Sequence, residues 1–417
     1  MTVQLVPLPD TRETLIVVGT SVRKRADVLR VYLDALAAQD LPPRTRLHPV
    51  FVADGLTPDA DAMLRAWTAE RGGEVLSGAP SPVADFTDDH PNTHQWSTSA
   101  MNRVGAAKDR ILARARALHA DAVWFCDADL ICDTTTLRSL LACGAPIATA
   151  VYWTRWSRSG SETRTIHAAP QVWLRHPYEL SGRGYTEAEF RERLAKRTLT
   201  RVPGYGACTL IARGALDAGV SFAPVEPNAA GLMAGEDRHF CRRAEALHID
   251  TVADPWPDIF HVYHLSDDVS RIPEMRERLL TPHPTRATLG SLVSLTITAL
   301  EPLPMHGGGY TAVPSQHIRG RLGALPLVPE VEEAVYGLDR GGVVTVPVHF
   351  PAHYPVPGYA GQRRLLRVTL VDTKPLGWAP TLEDELFVGP HSGAYVRTVD
   401  YTGRQLAGMQ DTVGGST

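Results

Sequence analysis

The chain has 417 residues, 44% of them apolar and 21% charged, with a formal net charge of −4. That length exceeds what one hydrophobic core usually serves, so two or three domains are expected, and the composition excludes disordered and fibrous classes. A slightly acidic chain carries no global basic field, which excludes nucleic acid as an expected partner, and no run reaches the roughly 18 uninterrupted apolar residues of a membrane span.

In chain order, the opening MTVQLVPLPDTRET lacks a basic start followed by an apolar core, so a cytoplasmic location is expected. Thr14 to Thr20 (TLIVVGT) reads as a strand, and Ala26 to Ala38 as a helix with Val28, Leu29, Leu33 and Leu36 on one face. The alternation continues with a strand at His48 to Ala53, a helix at Asp59 to Glu70, a helix at Val104 to His119 and a buried strand at Ala122 to Cys126. Strands alternating with helices of this length predict an α/β domain with a mostly parallel sheet flanked by helices, with ligands outside the carboxyl ends of the strands. Trp153 to Thr200 reads as an insertion over the site, with one helix near Glu187 to Lys196. A strand at Ala207 to Ala212 and helices at Gly214 to Ala218 and Glu236 to Leu247 follow, and Arg271 to Thr288 reads as a charged, proline-punctuated connector. Beyond it, strand character at Leu289 to Leu300, Val343 to Phe350 and Leu365 to Val371, around a helix at Pro329 to Tyr336, predicts a smaller α+β domain. The end, Leu406 to Thr417, reads as a frayed tail.

The sharpest local feature is Asp127-Ala128-Asp129 directly after the buried strand AVWFC. Two carboxylates at the mouth of a parallel sheet repel unless a cation or proton sits between them, and hard oxygen ligands suit Mg²⁺ or Mn²⁺. An isolated Asp-x-Asp is also an ordinary turn or helix cap. Glu236-Asp237 opens a helix, where acids are favourable near the positive end of the dipole; the alternative is a general base that deprotonates an acceptor hydroxyl. His261 and His264 follow a strand, and a neutral imidazole there either completes a metal's coordination or is hydrogen-bonded structure. Tyr152, Trp153, Trp156, Trp173, Tyr178, Tyr185 and Tyr205 surround the insertion as an acceptor wall or as core. Five cysteines (Cys126, Cys132, Cys143, Cys208, Cys241), odd in number and without CxxC spacing, argue against a disulfide framework and a thiolate zinc site and for buried thiols.

Taken in order, VVGTSVRKR (17–25), FVADG (51–55), VGAAKD (104–109), the DxD strand, Gly204 to Leu210 and GEDRHFC (235–241) resemble the DxD-bearing, family-2-like glycosyltransferases of the GT-A fold. The resemblance covers 1–275. It implies a nucleoside-diphosphate-sugar donor, with UDP favoured over GDP, held by Thr20, Ser21, Arg23, Arg25, Asp54, Lys108, Asp127 and Ala128. It also implies a divalent cation on Asp127, Asp129 and His261, a base at Asp237 with Glu236 beside it, and acceptor contacts from Trp153, Gly204, Tyr205 and Gly206. Inversion at the anomeric carbon is the course it suggests. Residues 283–380, through VPEVEEAVYGL, HFPAHY and AGQRRLLRVTLV, resemble the FKBP-like prolyl isomerase domain of the trigger-factor type, with 381–417 as tail. That family's aromatic floor residue is Val331 here, which argues against isomerisation and leaves either a peptide-binding or assembly surface or a packed appendage; a domain that still grips extended chain would imply a peptide or protein acceptor. Two rival readings remain: a sugar-phosphate nucleotidyltransferase, and a peptide-binding chaperone-like protein with a degenerate transferase domain.

Overall fold

A computed structural model describes residues 13–79, 98–157, 166–173, 193–194, 197, 199–225, 235–263, 268–282, 285–300, 315–325, 327–353 and 359–374. His264, Tyr178, Tyr185, the tail 381–417 and most of the helix expected near Glu187 to Lys196 lie outside these residues, as do the side chains of Trp156 and Trp173. Among the described residues no helix is long and apolar enough to cross a membrane.

The centre is a nine-stranded mixed sheet whose core strands are β1 (Thr14–Gly19), β3 (Thr45–Ala53) and β5 (Ala122–Cys126). β1 lies between β3 and β5 and runs parallel to both, so the carboxyl ends of all three open on one edge. β13 (Cys208–Ala212) pairs antiparallel with β5 and with β7 (Ile147–Ala150), and β14 (Thr251–Asp254) returns parallel to β7. The expected mostly parallel α/β sheet is therefore present, with β13 set into it antiparallel and a second antiparallel strand, Thr200–Arg201, beside β14 at its edge. Gly19 ends β1 where a Cβ would stand 1.9 Å from the Val50 carbonyl oxygen, so no other residue allows β3 so close. Helices α1 (Ala26–Ala37) and α2 (Pro58–Glu70) cover one face through Leu29, Leu33, Leu36, Ala60 and Leu64. Helix α3 (Thr98–Ala117), which starts six residues before its expected beginning, covers the other through Ile111, Leu112 and Ala115.

Two findings correct the expectations. The connector expected at Arg271 to Thr288 contains a helix, Ile272–Leu280, started by a proline in its first turn. Its Ile272, Met275 and Leu279 bury against Val28, Val31, Ile131, Phe260 and Val262, so position 275, the expected domain boundary, falls inside a packed helix. Of the cysteines expected as buried thiols, Cys126, Cys132, Cys208 and Cys241 are buried and Cys143 is half-buried, and three of them do not remain scattered: Cys126, Cys132 and Cys208 converge in the core, with the Cys126 and Cys132 sulfurs 3.6 Å apart.

The C-terminal elements form a four-stranded antiparallel sheet in the order Ser315–Arg321, Leu292–Ala299, Arg363–Lys374, Val343–His349, with helix Pro329–Val335 against it. The strand Ser315–Arg321 (SQHIRGR) was not among the expected elements; its single strongly apolar residue, Ile318, hides it from a hydropathy pattern.

Candidate functional site

The parallel strands bring Thr20, Asp54 and Asp127 to a common edge. Register aligns Gly19 with Phe125, which brings Thr20, one residue further, beside Asp127, two residues further: the Thr20 hydroxyl donates to Asp127 Oδ1 at 2.7 Å. Asp54, after β3, is buried, its Oδ1 lies 3.9 Å from the Arg23 guanidinium, and among the described residues that oxygen has no hydrogen-bond partner. Ser21 and Asp54 border a cavity of about 500 Å³ closed on its far side by Ser99, Asn102 and Arg103 of α3.

The second aspartate is placed by a short ribbon. After the turn at Asp127–Asp129, β6 (Leu130–Cys132) pairs antiparallel with β15 (Ile259–His261), His261 opposite Leu130, and the Val262 amide donates to the Asp129 carbonyl at 2.9 Å. This sets His261 Nε2 3.6 Å from Asp129 Oδ2. The imidazole's Nδ1 is 2.9 Å from Thr154 Oγ1, so with the proton on Nδ1 the Nε2 lone pair faces the carboxylate. Two carboxylates and an imidazole suit a hard divalent cation. They do not yet surround one point, since among the described residues the group of acids, histidines or cysteines whose ligand atoms all lie within 4.8 Å of one another is the thiol trio Cys126, Cys132 and Cys208. Asp129 is instead gripped by Lys24, whose Nζ donates to Oδ2 at 2.6 Å. Lys24 was not among the expected site residues; a basic run Arg23-Lys24-Arg25 after the first strand was the available signal. Arg25, which was among them, is exposed and paired with Asp27 at 2.9 Å.

On the other flank, helix Glu236–Ala246 begins with its two acids pointing at α3. Lys108 of α3 donates to Glu236 Oε1 at 3.2 Å and to Asp237 Oδ1 at 3.0 Å and is itself fully buried. The two helices approach this closely because α3 has Gly105 where a Cβ would come within 3.1 Å of the Glu236 Cβ. Burial opposes a charged Lys108, but Asp127, Asp237 and Glu236 together outweigh it and hold its pKa well above the ordinary value. Burial, then the charge of Asp237, pushes the Glu236 carboxyl up to about 7, against the pull of Lys108. Burial likewise raises Asp127, opposed by Lys108 and reinforced by Asp129 and Asp237. Lys108 therefore ties the acid pair to the DxD turn.

The four expected acceptor residues lie on the strands Trp153–Ser157 and Gly204–Tyr205 and at the position directly after the latter. Trp153 and Tyr205 are buried in the core cluster, and Gly204–Tyr205 pairs with Val172–Trp173. Gly206 accommodates Tyr152, whose hydroxyl would lie 2.8 Å from a Cβ there and which accepts the Ala207 amide at 3.1 Å.

No model of a known protein family matches the chain. Over 140 residues it is 30% identical to a glycosyltransferase 25 family member of Drosophila pseudoobscura pseudoobscura, a stretch that is 32% of this chain and 22% of that relative's length. Among solved structures, it is similar to S. aureus TarS 1-349 in complex with UDP-GlcNAc, at 15% identity and a TM-score of 0.32, over 64% of this chain and 66% of that one. It is likewise similar to a GalNAc-T7 with UDP, GalNAc and Mn²⁺ (12% identity, TM-score 0.37, 64% and 48%). A mannosyltransferase from Pyrobaculum calidifontis with GDP-Man and Mn²⁺ aligns at 14% identity and a TM-score of 0.33, over 61% and 58%. Likeness at this level says nothing about the reaction.

Proposed function

We propose that the chain is a GT-A-type glycosyltransferase that moves a sugar from a nucleoside-diphosphate sugar to an acceptor hydroxyl with inversion. One observation carries the reading: the strand-terminal Asp127 and Asp129 open on the carboxyl edge of the parallel sheet, between a cavity ending at Asp54 and an acid pair held by Lys108. Curated likeness to a glycosyltransferase over 140 residues supports it.

In this reading the nucleoside enters the cavity, where Asp54 accepts from the base, Ser21 lines the wall and Arg23, beside Asp54, turns toward the phosphates. Uracil and guanine both present an N–H to a carboxylate, so the preference for UDP over GDP rests on the family resemblance. A divalent cation on Asp129, His261 and Asp127 would neutralise charge on the departing diphosphate. Asp237 takes the proton of the acceptor hydroxyl, since a neutral alcohol is a weak nucleophile. Lys108 aims Asp237 through its 3.0 Å contact with Oδ1. Glu236, its carboxyl pushed up to about 7, orients the acceptor.

The C-terminal unit is proposed as FKBP-like in lineage and structural in use. Val331, at the position the resemblance gives to the aromatic floor, is buried with Val335, Val346 and Val348 in one apolar cluster. A peptide or protein acceptor rests on that likeness.

Thermal-shift measurement with UDP and GDP, each with and without Mn²⁺, tests the reading. The expected result is a rise with UDP that needs Mn²⁺ and is lost in Asp129→Asn, together with UDP release from a UDP-sugar. No rise with any nucleotide sinks it. Release of pyrophosphate from a nucleoside triphosphate and a sugar phosphate would point to the nucleotidyltransferase instead.

A further inference from the structure

Lysine is scarce in this chain: of 42 Lys and Arg residues, four are lysines, at positions 24, 108, 196 and 374. Three of these are spent on buried carboxylates. Lys108 meets Glu236 and Asp237, and Lys374 meets Asp133 and Asp258. Lys24, its side chain 8% exposed, meets Asp129, which is 3% exposed. The first two join acids that the fold itself keeps in place. Lys24 differs, because its partner is the carboxylate oxygen that also faces His261 Nε2.

Lys24 rides on a loop whose neighbours divide between two sites. Ser21 borders the cavity, Arg23 is beside Asp54, and Lys24 reaches the DxD turn. A diphosphate joining a nucleoside in that cavity to a cation on Asp129 has to cross this loop. Cation and ammonium compete for the same oxygen. An ammonium on a flexible four-carbon stem changes partners at little geometric cost, which a planar guanidinium fork does not.

We infer that Lys24 is the resident counter-ion of Asp129, displaced when a divalent cation binds, and that its freed ammonium then takes an oxygen of the donor's diphosphate. The inference rests on the proposed glycosyltransferase reading and assigns Lys24 two successive partners. It makes cation binding alone weak and cation binding with nucleotide strong. Without nucleotide, the ammonium leaves Asp129 for water. With nucleotide, it exchanges one anion for another.

Calorimetric titration of the full chain with Mn²⁺ alone, and then with UDP at saturating Mn²⁺, tests this on wild type and Lys24→Met. The variant is expected to bind Mn²⁺ about 10-fold more tightly, since the competitor is gone, and UDP about 10-fold more weakly, since a charge-assisted partner is lost. Unchanged or weaker Mn²⁺ binding in Lys24→Met overturns the inference. A second measurement needs no variant: amine labelling of the native chain, read at residue 24 by mass spectrometry. Labelling is expected to rise with Mn²⁺ alone and to fall when UDP is added, and a rate indifferent to Mn²⁺ overturns the displacement. The two readings fail differently. If Mn²⁺ binds through Asp129 but Lys24 does not respond, the inference falls and the glycosyltransferase stands; if neither protein binds Mn²⁺ or any nucleotide, both fall.

Discussion

Glu236 and Asp237 occupy the first turn of a helix, and either residue would be unremarked there for its favourable charge near the positive end of the dipole. Lys108 changes their meaning, because a fully buried ammonium between two carboxylates and within reach of a third belongs to a charge network, not to a cap. The Glu236 carboxyl, raised to about 7 in the folded chain, takes up a proton at a pH where the unfolded chain has released it. The folded state therefore binds more protons between the ordinary glutamate range and pH 7, so the contribution is full below that range and is lost as pH rises through 7. Glu236→Gln should flatten this slope in denaturant melts taken at a series of pH values; an unchanged slope would place the titration elsewhere. Asp237→Asn should lower kcat by about 10²- to 10⁴-fold with Mn²⁺ affinity preserved, the mark of a lost base. At this scale the sequence was informative wherever chemistry is compact. DxD and GED announce themselves within three letters, whereas the partners of Lys108 and Lys24 stand more than 100 residues away in the chain.

At the scale of elements, the site depends on strands too short to read. β6 and β15 are three residues each, below the length at which alternation can be recognised, yet their pairing decides that His261 faces Asp129. The long parallel strands β1, β3 and β5 were legible because their β-branched and aromatic runs are bounded by turns. The helix Ile272–Leu280 was hidden by its charges and its proline, although Ile272, Met275 and Leu279 carry a helical spacing. The ribbon is tied to the rest of the site through Thr154 of β8 (Trp153–Ser157), which holds the His261 ring by Nδ1. Thr154→Val keeps the shape and removes that partner. Mn²⁺ affinity in the presence of UDP should fall about 10- to 100-fold, as outer partners of metal-bound imidazoles generally dictate. Equal affinity in calorimetry would mean that His261 takes no part in holding the ion.

For the whole molecule, the question is why the C-terminal sheet is attached where it is. Its last strand, Arg363–Lys374, and its edge strand, Ser315–Arg321, carry charges into the interface with the large sheet. Lys374, fully buried, donates to Asp258 at 2.5 Å, to Asp133 at 3.3 Å and to the Trp256 carbonyl at 2.9 Å. Arg319 is paired with Asp254 and Ser139, and the Trp256 indole donates to Asp372 at 2.7 Å. Asp133 directly follows β6 and Asp258 directly precedes β15, so a single ammonium from the second unit joins the two roots of the ribbon that presents Asp129 and His261. None of this was legible in advance, since Lys374 and Asp133 are 241 positions apart and a charged residue at the end of a strand reads as solvated. Replacing one partner of a buried ion pair strands the other charges, so Lys374→Met should cost about 3–5 kcal/mol. At about 2–4 °C per kcal/mol, that is a melting point lower by about 10 °C. A merely structural anchor would leave the surviving folded fraction with normal Mn²⁺ binding. An anchor of the ribbon predicts weaker Mn²⁺ binding well below the melting point and, with it, weaker Mn²⁺-dependent UDP binding. Titrating Mn²⁺ and UDP separately into folded Lys374→Met distinguishes the two, and normal binding of both would confine the C-terminal unit to stability alone.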